Sequence, residues 1–491
     1  MIPLDDESLF GNDAGEDEDE SILMSYFVDR ADFSKFLDPR NSLRIAKARK
    51  GMGKSALLVR FAHDRRTSEP HLRPIVLQHA PRKLIALKEP PATDNPHVAV
   101  NYWTQVICGA INLQLAKDIG FAWKDDHIAL VENAELAGFQ GRNLIGALLG
   151  RVAAKIKLGA IELTPAPHAI SNNEELLARV RQEANLRRPV WFLLDDIDAT
   201  FQNTPAQKAF VASFFSACRY LVNELEDVGI RATVRTDVWA SLRGAQDLDK
   251  CTQYLTEIKW SASQQESILT HRVLAYFKRC YPADPVASLS VAEHAEEILN
   301  KVFTPRMRWG RGTVPSAHAL RVLAGGRPRW IAQLCRMAGE RAALEKQKVI
   351  AWRHVHLSMP SFGQLRLADL QTEFEYQFAD LHALLESFSG GPSNYTTEDL
   401  LRRISEKYLG GSKPNDVPPI DGIEFSHALQ IARFLFQIGF INGYDEYYQE
   451  RGTQQFIGFE ERPGLLEVET NLDDGLTWEV QPSYRNALRI K

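Results

Sequence analysis

Cysteine is scarce in this chain of 491 residues, and what there is does not cluster. Cys108, Cys218, Cys251, Cys280 and Cys335 are odd in number, lie far apart and include no CxxC pair. That spacing argues against a zinc ribbon or a disulfide framework and reads as reduced thiols. No uncharged apolar run approaches the roughly 18 residues needed to span a bilayer. The acidic N-terminus lacks the basic-then-apolar order of a signal peptide. The expected compartment is therefore the cytoplasm, with no membrane partner. Positive charge is not in excess either: the formal net charge is −5, so no global basic field exists to hold nucleic acid, although a local patch is not excluded. Internal repeats are absent.

The composition is that of an ordinary globular protein, with 44% hydrophobic and 25% charged residues. Its length predicts two or three domains. Residues 1–21, with "DDES" and "GEDEDE", read as a solvated acidic tail. Residues 22–260 alternate apolar strand-like runs with helical periodicity: "SLRIAKA", "RPIVLQHA", "RRPVWFLLDDIDATF" and "IRATVRTDVWASL" as strands, "SALLVRFA", "NYWTQVICGAINLQLAKDI" and "QKAFVASFFSACRYLVNEL" as helices. That alternation predicts an α/β fold, a parallel sheet flanked by helices. Residues 261–360 read as an all-helical lid. Residues 361–491 combine helices, including "TTEDLLRRISEKY" and "SHALQIARFLFQIGFING", with β-like "TQQFIGFEE" and "LTWEVQP". They are expected to form a winged-helix-like domain.

Four features carry chemistry. The first is Ala48-Arg49-Lys50-Gly51-Met52-Gly53-Lys54-Ser55, followed by Ala56 and a helix, which fits [AG]xxxxGK[ST] between strand and helix. Gly51 and Gly53 let the backbone turn its N–H groups around phosphate oxygens. Lys54 reaches the β- and γ-phosphates and the Ser55 hydroxyl ligates Mg²⁺. Ala48 stands where the pattern usually has its first glycine, at the strand exit, where positive φ is not required. The plain alternative is a glycine turn among basic surface residues.

The second feature is "VWFLLDDID", which delivers Asp195 and Asp196 at the end of an apolar strand, where open α/β sheets bind ligands. Asp195 suits Mg²⁺ and Asp196 suits a general base. Asp198 reads as a helix cap. The third is Arg235 in "ATVRTDVW", placed to sense a γ-phosphate or else to pair locally with Asp237. The fourth is "GGRPRWIAQL", in which Pro328 starts a helix and Arg327 or Arg329 could reach nucleotide; otherwise it is a plain glycine-proline turn.

In this order, the phosphate loop, "LLDDID", the later arginine and "GRPR" resemble the ATPases of the AAA+ and STAND superclass, and the C-terminal pattern resembles its origin-recognition-like branch. "SYFVDR" before the loop and "VQPSYRNALRI" at the end resemble a bacterial group of P-loop ATPases of about this length. The resemblance runs from Ser25 to the end. It implies ATP and Mg²⁺ as cofactors, Lys54 and Ser55 on phosphate and metal, Asp195 on the metal, and Asp196 on the attacking water. It also implies Arg235 as first sensor and Arg329 as second. Many such ATPases carry glutamate where Asp196 stands, which bears on turnover. A switch of this kind is expected to form a homo-oligomer, with Arg243, Arg272 or Arg311 reaching a neighbour's nucleotide. It would have an effector or sensor protein partner and a regulatory or anti-phage role. No NKxD-like element is present, which favours ATP over GTP.

The readings kept beside this one are a DNA-remodelling ATPase and a nucleotide-locked scaffold. Against DNA, the helix "FSHALQIARFLFQIGF" has a single arginine, Arg433, and the segment after it carries Glu460, Glu461, Glu467, Glu469, Asp473 and Asp474. In its favour, "TPRMRWGRG" gathers Arg306, Arg308 and Arg311 around Trp309.

Overall fold

The computed structural model describes residues 2–15, 17–68, 70–79, 91, 95–118, 172–182, 188–199, 201, 204–242, 244–245, 247–410, 417–424, 427–447, 456–468 and 472–490. The helical segments expected between 119 and 171, together with Arg243 and Glu469, lie outside these residues. The chain forms two compact units. One comprises Asp29–Arg49 and Lys54–Ile258; the other comprises Met1–Val28, Lys50–Gly53 and Lys259–Lys491.

The first unit is built on a parallel sheet of β1 (Leu43–Ala48), β2 (Ile75–His79), β3 (Val190–Leu194), β4 (Val228–Arg235) and β5 (Leu255–Glu257), in the order β2-β3-β4-β1-β5. β3 is buried at every position and β4 at all but Arg235, as apolar runs in a sheet covered on both faces should be. Helices Lys54–Ser68, Pro96–Asp118 and Pro205–Glu224 flank it. The run "IRATVRTDVWASL" is strand only as far as Arg235; Thr236–Ser241 is a helix, because strand pairing with Ala48 ends there.

Two features of β4 were not visible in the one-dimensional pattern. Gly229 lies opposite Trp191 of β3, and a Cβ there would sit 2.1 Å from the Trp191 ring. Arg231 is fully buried. It donates to the carbonyls of Phe36 (2.7 Å), Asp38 (2.9 Å) and Ile230 (3.0 Å), and lies 4.3 Å from the Phe61 ring centroid and 4.8 Å from that of Trp191. Carbonyl dipoles and ring faces thus solvate a buried cation that has no carboxylate ion pair among the described residues.

The second unit has one continuous core, running from Leu4 through Phe277, Leu334 and Phe362 to Leu488. Its long helices include Ala262–Cys280, Pro328–Leu344 and Trp352–Phe374. The boundary expected at 360–361 falls inside the last of these. A two-stranded hairpin, β6 (Arg306–Trp309) and β7 (Gly312–Pro315), interrupts the helices expected across 261–360. Towards the C-terminus, helices Thr397–Arg403 and Ala428–Gln437 pack with an antiparallel sheet of β8 (Asn394–Tyr395), β9 (Ile441–Tyr444), β10 (Phe456–Ile457) and β11 (Thr477–Val480). Thr396 caps the first of these helices, accepting from the Asp399 N–H.

The acidic N-terminus is not a solvated tail. Leu4, Leu9 and Phe10 are buried, and Phe10 packs on Phe303 at 5.8 Å between ring centroids. Tyr276 donates to Asp6 (2.8 Å), and Arg336 donates to the Gly11 carbonyl (2.8 Å) and pairs with Asp13 (3.0 Å). Three apolar anchors and complementary arginines outweigh the high acid content. Phe10→Ala is expected to lower the stability of this unit by about 3 kcal/mol. The check is a thermal midpoint, with limited proteolysis reporting release of the N-terminus; an unchanged midpoint would contradict the packing.

Candidate functional site

The parallel sheet brings the motif residues to one edge. Ala48 ends β1 opposite Arg235 at the end of β4, and Leu194 of β3 pairs with Ala232 of β4, so Asp195 and Asp196 emerge beside Thr233. Every strand of the sheet runs the same way, so the phosphate loop, the acids and the arginine all leave from carboxyl ends. Ala48 is buried in regular strand and lies outside the positive-φ set, so a glycine is not required there. Gly51 (φ 79°) and Gly53 (φ 95°) do occupy the left-handed region. Helix Lys54–Ser68 starts directly after them, with Lys54, Ser55 and Ala56 in its first turn.

Lys54 is buried, and its Nζ lies 3.6 Å from Asp196 Oδ1. The Ser55 hydroxyl is hydrogen-bonded to Asp195. Thr233, which is fully buried, spends its hydroxyl twice: it donates to Asp195 Oδ1 (2.6 Å) and accepts from the Asp196 N–H (2.8 Å). Asp196 itself has φ 46°, a conformation that short residues able to bond locally tolerate best. A left-handed backbone at this position gives a physical reason for aspartate in place of the longer glutamate.

Burial, then the charge of Asp196, pushes the Asp195 carboxyl up to about 6, against the pull of Ser55, Thr233 and Lys54. The sign follows. A carboxyl with a raised folded-state pKa stabilises the fold below its unfolded value near 3.8, and that contribution is lost as pH rises through about 6. With divalent cations chelated, Asp195→Asn is therefore expected to be more stable than the parent at pH 8 by about 2–3 kcal/mol, with the difference shrinking between pH 6 and 4. Denaturant melts at both pH values measure this. A parent that fails to gain stability relative to the variant as the pH falls from 6 to 4 would contradict it.

The same crowding makes the residues a fit for Mg²⁺. Two hard oxygens, the Ser55 hydroxyl and the Asp195 carboxylate, stand together, and a divalent cation would relieve the repulsion between the paired acids. Magnesium bound with phosphates takes only one or two protein oxygens, the number available here.

Arg235 is held rather than loose. Asp198, fully buried, accepts from its Nε (2.7 Å) and from its backbone N–H (3.1 Å). Asp198 is thus the arginine's carboxylate rather than the helix cap its position suggests, and the two meet because β3 and β4 are neighbours. Thr233 and the Asp198–Arg235 pair were missed in the sequence because contacts across 37 or 38 positions leave no local signal.

In the other unit, Gly325 (φ 61°) and Gly326 (φ 66°) turn the chain into helix Pro328–Leu344, with Pro328 in its first turn. Arg327 is committed inward, bonded to the buried Glu373 (2.9 Å) and stacked 4.2 Å from the Trp330 centroid. The Arg329 side chain has no hydrogen-bond or ion-pair partner among the described residues, while its backbone N–H donates to the Gly51 carbonyl (3.3 Å). Lys50 lies 3.9 Å from Asp369. Of the arginines considered for a neighbour's nucleotide, Arg272 is occupied by the Phe10 carbonyl and the Tyr26 ring, whereas Arg311 is exposed in the turn between β6 and β7. Arg433 is paired with Glu467 at 3.2 Å.

The fold is thus an α/β parallel sheet of the P-loop nucleotide-binding type, flanked by helices. No protein-family profile and no curated protein matches the chain. Solved structures that align with it include the Holliday junction branch migration motor RuvB of Thermotoga maritima (11% identity, covering 84% of this chain and 88% of that one, TM-score 0.31). They also include the ORC1 protein of Aeropyrum pernix in complex with DNA (14%, 93% and 88%, TM-score 0.33) and the ORC2 protein of the same organism in ADPNP–ADP complexes (10%, 91% and 86%, TM-score 0.40). No residue correspondence follows at these scores. Among the described residues no helix is long and apolar enough to cross a membrane.

Proposed function

We propose that the chain is a Mg²⁺-dependent ATP-binding and hydrolysing switch. The observation that supports it most is the meeting of Lys54, Ser55, Asp195 and Asp196 at the carboxyl ends of neighbouring strands, with Ser55 bonded to Asp195 and Lys54 3.6 Å from Asp196. Residues 48–56 bind the phosphates: amide N–H groups of the loop donate to the oxygens, and Lys54 neutralises the β- and γ-phosphates. Ser55 and Asp195 hold Mg²⁺, which when bound supplies charge neutralisation to the transferring phosphoryl group. Asp196 accepts the proton of the attacking water. Arg235, kept at the end of β4 by Asp198, registers loss of the γ-phosphate, and Arg329 is the second sensor.

Operation as a homo-oligomer, with a regulatory or anti-phage output through a partner protein, extends this reading by the resemblance of the sequence motifs. A DNA-remodelling ATPase is the second reading. Arg308 and Arg311 favour it, since both are exposed and have no hydrogen-bond or ion-pair partner among the described residues. The pairing of Arg433 with Glu467 counts against it.

Phosphate release with and without Mg²⁺ and duplex DNA tests the proposal. We expect Mg²⁺-dependent release that DNA leaves unchanged. Salt-sensitive stimulation by DNA would favour the second reading. Bound nucleotide with no release would make the protein a nucleotide-locked scaffold.

A further inference from the structure

Three consecutive carbonyls at the tip of the phosphate loop are occupied by donors of the same compact unit. The Arg327 guanidinium donates to the Lys50 carbonyl (3.4 Å), the Arg329 backbone N–H to that of Gly51 (3.3 Å), and the Trp260 indole N–H to that of Met52 (2.9 Å). In a trans peptide the carbonyl and the next N–H point in opposite directions. Each carbonyl drawn toward its donor therefore turns the following N–H away, which exposes the amides of Gly51, Met52 and Gly53. None of these three N–H groups donates to another group among the described residues. Positive φ at Gly51 and Gly53, with Met52 between them outside that region, is the alternation that forms an anion-binding nest.

The donors are themselves fixed. Arg327 is locked by Glu373 (2.9 Å) and by the Trp330 ring, over which Arg366 also lies at 4.9 Å. The Trp260 ring borders the loop, 4.0 Å from where a Cβ on Gly53 would stand. A loop with two glycines loses much conformational freedom when it closes on an anion, and donors that already hold its carbonyls reduce that loss before ligand arrives.

The geometry points to Trp260 and Arg327 as positioning residues of the phosphate loop, which hold the Met52 and Lys50 carbonyls so that the loop amides stay turned toward phosphate. This rests on the reading of residues 48–56 as a nucleotide site. Because the α- and β-phosphates are common to ATP and ADP, the effect falls equally on both.

The test is Trp260→Phe in the full chain, which deletes one N–H and keeps an aromatic ring. Calorimetric titration with MgATP and with ADP is expected to give a Kd raised about five- to tenfold for each. The ratio of the two Kd values, and kcat for phosphate release, stay within about twofold of the parent, because the N–H is given to the Met52 carbonyl and the phosphates that the loop seats are common to both nucleotides. The thermal midpoint of the nucleotide-free protein stays unchanged, a readout that general loosening would move. Trp260→His, which retains a ring N–H, recovers part of the affinity. Parent-like binding of both nucleotides by Trp260→Phe overturns the positioning role and leaves the nucleotide site standing. A lowered midpoint that accounts for the weaker binding also overturns it. A parent protein that binds neither nucleotide overturns both.

Discussion

Replacing Asp196 with Asn is expected to leave MgATP binding within a few-fold of the parent and to lower phosphate release by about 10²-fold or more. The substitution suits the backbone. Asp196 sits at φ 46°, and asparagine tolerates that region as aspartate does, so the exchange removes the proton acceptor without new strain. The Asp196 N–H bond to Thr233 (2.8 Å) is also untouched. What disappears is the carboxylate 3.6 Å from Lys54 and the charge that helps raise Asp195. Single-turnover phosphate release, beside equilibrium binding, separates the two effects. Equal release by parent and variant would remove Asp196 from the chemistry; loss of binding would instead assign it to the nucleotide cradle.

The second large effect is structural. Gly229→Ala is expected to destabilise the sheet unit by about 3 kcal/mol or more, since the new methyl must displace a buried tryptophan. The Cβ would lie 2.1 Å from the Trp191 ring, which is packed edge-on against Phe61 at 4.8 Å and beneath Arg231. Neither neighbour can give way: Phe61 is fully buried, and Arg231 is tied to several carbonyls on residues 36–42 and 230. A fall in thermal midpoint of roughly 6 °C or more should follow, with altered tryptophan fluorescence. An unaltered midpoint would show that the ring has room the packing denies.

Much of the sheet unit was legible because its signals are local. β3 is a short apolar run that stops at acids, β1 sets Arg44 and Lys47 among buried apolar residues before the glycine turn, and the phosphate loop lies between strand and helix as its pattern requires. Ala48 is compatible with the pattern because a strand exit needs no positive φ; it is the last paired residue of β1, opposite Arg235, and is not among the positive-φ residues. The site's supports were not legible. Thr233 meets Asp195, and Asp198 meets Arg235, only because β3 and β4 lie side by side, a fact of topology rather than of spacing.

The N-terminus departs from its composition for a different reason. Acids dominate residues 1–21, but Leu4, Leu9 and Phe10 decide its burial. Residues 361–491 were expected to form a domain apart from 261–360 because β-like runs join the helices there. One helix, Trp352–Phe374, runs through that point, and a single core joins the segments on either side. Likewise, "GRPR" announced a helix start correctly, but the sequence could not tell that Arg327 faces Glu373 while Arg329 keeps its side chain unpaired among the described residues.

In the function proposed above, residues 48–56 and the Asp195–Asp196 pair form one MgATP site. Equilibrium binding of ATP in Mg²⁺ to the parent and to Lys54→Ala, each first confirmed to be folded by its thermal midpoint, tests it most directly. Stoichiometric binding to the parent is expected, with affinity weakened by at least about 10²-fold in the variant, because a buried charge-assisted contact to phosphate is removed. Equal binding by both proteins, or none by the parent, would contradict it.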